Sequence, residues 1–527
     1  MAVRASSVRA RVGLVVVVGS YALLVLIAGA PNSPLIPALP AKVGPAGWTI
    51  RGADVLGFDR LSRTELTVVS IVVLVVAVAA FGVVVLEAWR GRVTLWPVVA
   101  ATGISLALAV AAPVLLSRDV FSYAVYGRIS ALHHANPYVV PPSAYPSDPF
   151  VRVASPEWVH TRSVYGPAFT LLSGAVARAW SRSVGGTLLA FKVIAAASLG
   201  TASLVAAWIA ARRRPGSEAL AAAAVGINPV LVIHTVGGAH NDALLAVLLV
   251  VALAMAVGVA EPADERTEDA GPPSDLIALG VTAALTGAVL VKSVALPFLV
   301  WWIWWIVHRA APNQRPVKAT AHLALTAALG VAAFWPFAAG GRTLRALLSV
   351  ASRQGWASGP GLVSRGARAL GRAVAGGSTG LALETLATAV FVALFLVLFW
   401  RIVVRSAGSS DPLEGVTLWG AAGLLLALSG PYLLPWYAAW FVPLVALSSD
   451  AALSGVAFAV GGLLAVTGVP AEPGTTPHVW QAMMLGVHYG AAPVMLAMLA
   501  IAARRTVALT PRRNGVALGP VHSRATS

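Results

Sequence analysis

Long apolar runs separated by short polar or basic clusters recur from Val12 to Ala502. A helix crossing a ~30 Å hydrocarbon core needs ~20 residues. Runs near that length lie at 12–30, 66–86, 95–116, 165–183, 186–211, 217–236, 242–260, 276–291, 294–308, 319–339, 380–400, 416–430, 434–448, 451–469 and 483–502. Backbone polar groups inside a bilayer must pair within their own segment, so the pattern predicts an all-α polytopic membrane protein with roughly 13–15 transmembrane helices. Residues 1–510 read as a single multi-spanning membrane domain and 511–527 as a basic cytoplasmic tail.

Composition agrees with the pattern. Of 527 residues, 58% are hydrophobic and 11% charged, more apolar surface than a soluble domain could bury. The net charge of +17 sits in clusters between the apolar runs: Arg4/Arg9/Arg11, Arg90/Arg92, Arg212-Arg213-Arg214, His308 to Lys318, Arg401/Arg405 and Arg504 to Arg513. Such clusters mark cytoplasmic edges, and no basic domain outside the membrane is left to bind nucleic acid. The chain has no cysteine, which excludes disulfides and thiolate chemistry. The first thirty residues end Ala28-Gly29-Ala30 as a signal peptide would, but the apolar run from Val12 is long for an h-region, favouring an uncleaved first helix.

A cytoplasmic N-terminus places 31–65 and Asp119 outside and Arg90/Arg92 inside. Counting back from the basic tail gives an acidic cytoplasmic connector at 261–275 and outer loops at 340–379 and 470–482. The two counts conflict over 165–215, where two full crossings would put Arg212-Arg213-Arg214 outside. One of the runs 165–183 and 186–211 is therefore expected to be re-entrant or broken, with Gly166-Pro167 and Gly185-Gly186 as break points. The 340–379 segment spaces Arg342, Arg345, Arg353, Arg365, Arg368 and Arg372 through apolar residues and Trp356, and reads as amphipathic helices at the interface.

Chemistry is expected in 117–167, which opens SRDVFSYAVYGRIS, passes NPY at Asn136-Pro137-Tyr138 and closes SVYGP. Twenty acidic residues can be sorted by position, leaving Asp54, Asp59, Glu65, Asp119, Asp148, Glu157, Asp242, Glu384 and Glu472 for the outer face. Asp119 directly follows an apolar run, where partial desolvation favours a general base. Tyr123 and Tyr126 follow at helical spacing, and an acid beside an aromatic wall suits a pyranose. The alternative is an interfacial helix with a Tyr belt and Arg118 snorkelling to headgroups.

The second cluster is Gly237-Gly238-Ala239-His240-Asn241-Asp242, offering donors, acceptors and a proton carrier; its alternative is a helix N-cap beside a satisfied loop histidine. Lys292 interrupts an apolar run, as a snorkelling residue or a point charge for a phosphate. Pro431 and Pro435 break the SGPYLLPWY segment, where Trp436 and Tyr437 belong to an aromatic belt or line a groove. Trp301-Trp302 and Trp304-Trp305 read as a cytoplasmic aromatic belt. No HExxH or paired-acid motif supports a metal, no cofactor is indicated, and a divalent cation is unsupported.

Together SRDVFSYAVYGRI, NPY, SVYGP, GINP, GGAHNDALL, VKS and PWY, in this order over 117–440, resemble the actinobacterial polyprenyl-phosphomannose-dependent α-1,6-mannosyltransferases, which are GT-C membrane glycosyltransferases. The resemblance implies an inverting transferase in the plasma membrane with an extracytoplasmic active site. It implies a polyprenyl-phosphate-mannose donor and a mannan or lipoglycan acceptor, with membrane lipids around it and no nucleic acid. It further implies Asp119 as base. Arg118, Tyr123, His240, Asn241, Asp242 and Lys292 match motif positions expected to line the substrates, with Tyr126, Tyr165, Trp436 and Tyr437 nearby. Loss of a phosphate leaving group calls for cations, for which Arg118, Lys292 and Arg365 are the candidates. Two other readings remain: a GT-C enzyme carrying another sugar such as arabinofuranose, and a transporter or flippase for a lipid-linked glycan, which would normally show internal repeats.

Overall fold

The computed structural model describes residues 6–37, 45–258, 275–348, 355, 357–407, 412–469 and 477–510. The expected tail 511–527 and, but for Asp275, the connector 261–275 lie outside these, as do Arg353, Trp356, Asp411 and Glu472. In chain order the helices are α1 (Val8–Ile27), α2 (Gly47–Val55), α3 (Arg63–Trp89), α4 (Leu95–Ala111), α5 (Asp119–Ala131), α6 (Pro156–Val159), α7 (Pro167–Ala179), α8 (Val184–Arg213), α9 (Glu218–Gly226) and α10 (Asp242–Gly258). They continue as α11 (Asp275–Val291), α12 (Leu296–Arg309), α13 (Arg315–Phe334), α14 (Gly341–Leu348), α15 (Gly359–Ala375), α16 (Gly377–Ala407), α17 (Pro412–Ser429), α18 (Val442–Val445), α19 (Ala451–Thr467), α20 (Pro477–Gly486) and α21 (Ala492–Leu509). The described residues contain no β-strand, and the protein is an all-α polytopic membrane protein.

Among the described residues, six helical stretches are long and apolar enough to cross a membrane: α1, α3, α8, Arg315–Phe337, Gly377–Ser406 and Pro477–Leu509. A seventh is the pair Glu218–Gly226 and Val230–Val236, bent by 41°, and five shorter apolar helices pack among them. Asn228 serves the break in that pair: its amide nitrogen donates to Ala224 O at 3.1 Å and its amide oxygen accepts from Val230 N at 3.2 Å. The Tyr21 hydroxyl donates to the Ile227 carbonyl at 2.7 Å, so the irregular backbone is satisfied from inside the protein.

The 13-residue α7 is about 20 Å long at 1.5 Å per residue, short of a crossing. The 30-residue α8 is long enough. With α7 not crossing, α8 returns the chain to the end that holds Arg90 and Arg92, and the parity conflict over 165–215 disappears. Expected run 434–448 is likewise a 3-10 stretch, Pro435–Trp440, followed by the single turn of α18.

The basic clusters gather at one end of the bundle. There Ser7 N donates to Arg92 O at 2.9 Å and the Ser7 hydroxyl to Glu87 at 2.8 Å. Arg214 donates to the carbonyls of Leu447 and Ser448, and Arg505 pairs with Asp450 at 2.6 Å. Trp301 and Trp302 are not a lipid-facing belt. Both are buried, and their indoles donate to Ser406 and Thr282 at 2.7 and 3.0 Å. Their polar atoms have partners between helices, which removes the reason to sit at a headgroup.

Candidate active site

At the opposite end from the basic clusters, four chain segments converge. The first is the arm from Ala112 to Asp119. Lys192, buried in α8, donates its ammonium to the carbonyls of Ala112 and Pro113, which follow the last turn of α4. Leu115 N then donates to Gly237 O at 3.0 Å and Leu116 N to Leu35 O at 2.8 Å, with Leu116 in the left-handed region at φ 58°. The Ser117 hydroxyl accepts from Asp119 N at 3.1 Å, and α5 begins at Asp119.

Helix α5 is buried on nearly every side, so it is a packed element rather than an interfacial belt. It meets α7 closely because Gly127 has no side chain; a Cβ there would lie 2.3 Å from Ser173 O. The loop after α5 is pinned by an ion cluster. Arg128 Nε reaches both oxygens of Asp148 at 3.1 and 2.8 Å, Arg128 also donates to Ser181 O, and His133 meets Asp148 at 3.0 Å. Tyr138 of NPY donates to Tyr165 O at 2.7 Å, and Asn136 donates to Phe337 O at 2.9 Å. Gly166 then packs on the segment before Lys292: its N–H donates to Val291 O at 3.0 Å, and a Cβ would sit 2.0 Å from Leu290 O.

The GGAHND turn is the second segment. It follows the π-helical Val230–Val236, turns through Ala239 at φ 57° and enters α10 at Asp242. His240 is fully buried. Its Nδ1 lies 3.6 Å from Asp119 Oδ2 and 3.3 Å from the Tyr123 hydroxyl, and its ring stacks on Trp436 at 3.7 Å. Burial holds the imidazole well below its ordinary pKa, and Lys292 and His234 push the same way, so it is neutral at physiological pH. The Tyr123 phenol is pushed well above its usual value, by burial first and then by Asp119 and Asp242.

Lys292 and the PWY segment complete the cluster. Asp242 Oδ1 receives the Lys292 ammonium at 2.7 Å and the Trp440 indole N–H at 2.6 Å. That ammonium also stands 4.8 Å from the centre of the Tyr437 ring and 5.3 Å from that of Trp440, which stack on each other at 3.8 Å. Asp242 is thus not a helix cap; its charge is matched in place by Lys292. The side chain of Asp119 keeps 17% of its surface exposed, whereas Asp242 keeps none.

The remaining candidates sit around this centre. Tyr123 meets Tyr165 edge-on at 4.8 Å, and Tyr126 donates its hydroxyl to Thr161 O at 2.7 Å. Arg118 is half-buried beside Asp119. Arg365 is bound elsewhere, donating to Gly355 O at 3.2 Å and to His488 at 2.8 Å. Gly355 N in turn donates to Pro431 O, so Arg365 braces the SGPYLLPWY segment from behind. Of the other outer-face acids, Glu65 closes a capping box with Ser62, and Glu384 pairs with Arg368. Trp440 and Lys192 were not expected. An intramembrane-lysine criterion would have flagged Lys192 in its apolar run, whereas nothing local distinguishes Trp440. Among the described residues no three His, Asp or Glu side chains converge to hold a metal ion.

The sequence model of the alpha-(1->6)-mannopyranosyltransferase N-terminal domain matches residues 16–308, more than half the chain and all of the cluster except its Trp436–Trp440 face. The chain belongs to this family. It is 29% identical over 394 residues to alpha-(1->6)-mannopyranosyltransferase A of Mycobacterium tuberculosis, an alignment covering 71% of this chain and 69% of that one. It is 25% identical over 418 residues to a probable alpha-(1->6)-mannopyranosyltransferase of Mycolicibacterium smegmatis, covering 75% and 72%. With alpha-(1->6)-mannopyranosyltransferase A of Corynebacterium glutamicum the identity is 30% over 194 residues, covering 36% and 35%. No solved structure matches the chain significantly. Family membership supports mannosyl transfer as the activity of this membrane protein.

Proposed function

We propose that the protein is an inverting glycosyltransferase of the plasma membrane that moves mannose from polyprenyl-phosphate-mannose to a mannan or lipoglycan acceptor, making an α-1,6 link on the extracytoplasmic face. The observation that carries this reading is the pairing of a partly exposed carboxylate, Asp119, with a buried, neutral His240 at 3.6 Å, at the end of the bundle opposite the basic clusters. The positive-inside rule then supports an outer location.

In this mechanism the acceptor 6-hydroxyl oxygen bonds to mannose C1 on the face opposite the phosphate. The C1–O bond breaks, its electron pair leaves with the phosphate, and Asp119 takes the hydroxyl proton. A neutral imidazole next to Asp119 adds no positive charge of its own to the carboxylate. Arg118 is assigned to the departing phosphate. Lys292 is assigned to the floor of the site, where it holds Asp242, rather than to the phosphate.

Both amide atoms of Asn241, His240 Nε2 and Asp242 Oδ2 are buried and make no hydrogen bond among the described residues. Buried polar atoms are costly unless satisfied, and sugar hydroxyls would satisfy them. A transporter finds less support in this closed arrangement than an enzyme does. The deciding experiment supplies labelled polyprenyl-phosphate-mannose and an oligomannoside to the purified protein. Wild type should form an α-1,6 product, and Asp119→Asn should lose about 10²–10⁴-fold in rate while still binding donor. Full activity of Asp119→Asn rejects the assignment, and transfer of arabinofuranose instead of mannose rejects the donor.

A further inference from the structure

Lys192 lies in the first half of α8 and is 3% exposed. Its ammonium donates to the Ala112 carbonyl and, at 2.9 Å, to the Pro113 carbonyl; among the described residues no carboxylate pairs with it. A buried charge without a counter-ion is costly, and a methionine would fill the same apolar gap without that cost. The ordinary account of such a lysine is a cap on the last carbonyls of a helix. Helix α4, however, ends at Ala111, and Pro113 lies outside it with no N–H to continue the helix. The ammonium therefore holds chain beyond the helix, at the root of the arm that carries Asp119.

That arm needs holding. Leu116 sits at φ 58°, a left-handed conformation that a leucine rarely adopts and that persists only where its surroundings enforce it. The enforcing contacts are Lys192 at the root and, further along, the bonds from Leu115 N to Gly237 O and from Leu116 N to Leu35 O. The same turn of α8 also reaches the far side of the base. Phe191 meets the Tyr123 ring edge-on at 6.0 Å, and the Tyr123 hydroxyl lies 3.3 Å from His240 Nδ1. Residues 191 and 192 thus touch the chain before and after Asp119, which fixes where the carboxylate stands against His240.

We propose that Lys192 is a positioning residue for Asp119: it holds the arm so that the carboxylate faces His240 and the acceptor hydroxyl, and it meets neither substrate itself. The proposal rests on the functional reading above, in which Asp119 is the base.

The first test uses the absence of cysteine from the chain. In the full-length protein in detergent, Asp119→Cys puts a single thiol where the carboxylate stands, and its rate of reaction with a water-soluble methanethiosulfonate reads how firmly the arm is held. Adding Lys192→Met should raise that rate by about tenfold, whereas Lys192→Arg, which keeps a cationic donor, should change it by less than about threefold. Leu199→Ala, two turns farther along α8 and fully buried, is the control: it should lower the thermal midpoint and leave the thiol rate alone. If Lys192→Met does not accumulate, Lys192→Gln, one bond shorter and neutral, should raise the rate in the same direction.

The second test follows mannose transfer from polyprenyl-phosphate-mannose. Lys192→Met should lower kcat by about 10–100-fold with KM for the donor near wild type, as expected when a reacting group is misplaced. Lys192→Met combined with Asp119→Asn should be no slower than Asp119→Asn alone, because holding the arm is worth nothing once the base is gone. Equal thiol rates with lysine and methionine at 192, or losses that multiply in the double variant, overturn the positioning role and leave the functional reading standing. Wild type that transfers no mannose overturns the functional reading, and the proposal with it.

Discussion

Asp242 and Lys292, fifty positions apart in sequence, meet at 2.7 Å with the carboxylate fully buried. The Trp440 indole donates to the same carboxylate oxygen, so the pair is held from a third side.

Removing one member of this pair leaves the other as an uncompensated buried charge, which typically costs about 3–5 kcal/mol. Lys292→Met and Asp242→Asn should each lower the thermal midpoint in detergent. The double variant should recover part of the loss, since two neutral side chains suit the pocket better than one lone charge. A double-mutant cycle showing strict additivity would contradict this coupling.

Gly166→Ala should be unusually damaging for so small a change. The added methyl would meet the Leu290 carbonyl, and backbone cannot move aside as a side chain tip does. Overpacking of this kind costs about 1–3 kcal/mol. Lys292 lies just beyond the displaced strand of chain, so transfer activity should fall together with the thermal midpoint. Gly174→Ala, whose nearest contact is an ordinary 3.5 Å, should be close to wild type in both measurements.

His240 gives a pH dependence of known sign. Its folded pKa is depressed, mainly by burial, so below about pH 6.5 the unfolded chain binds a proton that the native state refuses. The stability is whole above that pH and is lost as pH falls towards the folded value, by at most about 1.4 kcal/mol per pH unit from this group. Thermal midpoints measured from pH 8 to 5 should decline over the lower part of the range, and His240→Asn should decline less steeply. An equal slope in the two proteins would show that the imidazole titrates normally.

Arg128 should govern the loop between α5 and α7. Replacing it with Met takes the cation from the buried Asp148 carboxylate, leaving it His133 and the Phe150 N–H, and frees Ser181 O. The expected result is cleavage within 141–155 by limited proteolysis under conditions where wild type resists, and a thermal midpoint lowered in step. Resistance equal to wild type would mean that NPY alone holds the loop.

Much of this arrangement was legible in the chain because polar residues stand out against apolar runs. SRDV, GGAHND and PWY could be singled out on that ground, and the fold brings Asp119, His240, Asp242 and Trp436 into one cluster. What the pattern could not give is which charges cancel. Lys292 is read equally well as a phosphate contact or as a partner for Asp242, and only the fold chooses its neighbour. Arg365 shows the same limit: its spacing on an amphipathic helix is visible, whereas its bond to His488 joins positions 123 residues apart. The Trp301–Trp302 pair failed for a related reason. Burial of an indole depends on a hydroxyl supplied by another helix, here Ser406 or Thr282.

The stacking of Trp436 on His240, and the hydrogen bond from Trp440 to Asp242, have a consequence for biosynthesis. Every other residue of the centre is in place once the ribosome has passed Lys292, but the face that shields it arrives about 150 residues later, which at ~5–20 residues per second is on the order of ten seconds or more. During that interval a nascent chain carries a charged pair and a histidine open on one side to lipid or to the translocation channel. Chains that stall or end between 300 and 430 would expose them permanently, marking themselves for the quality-control proteases of the membrane.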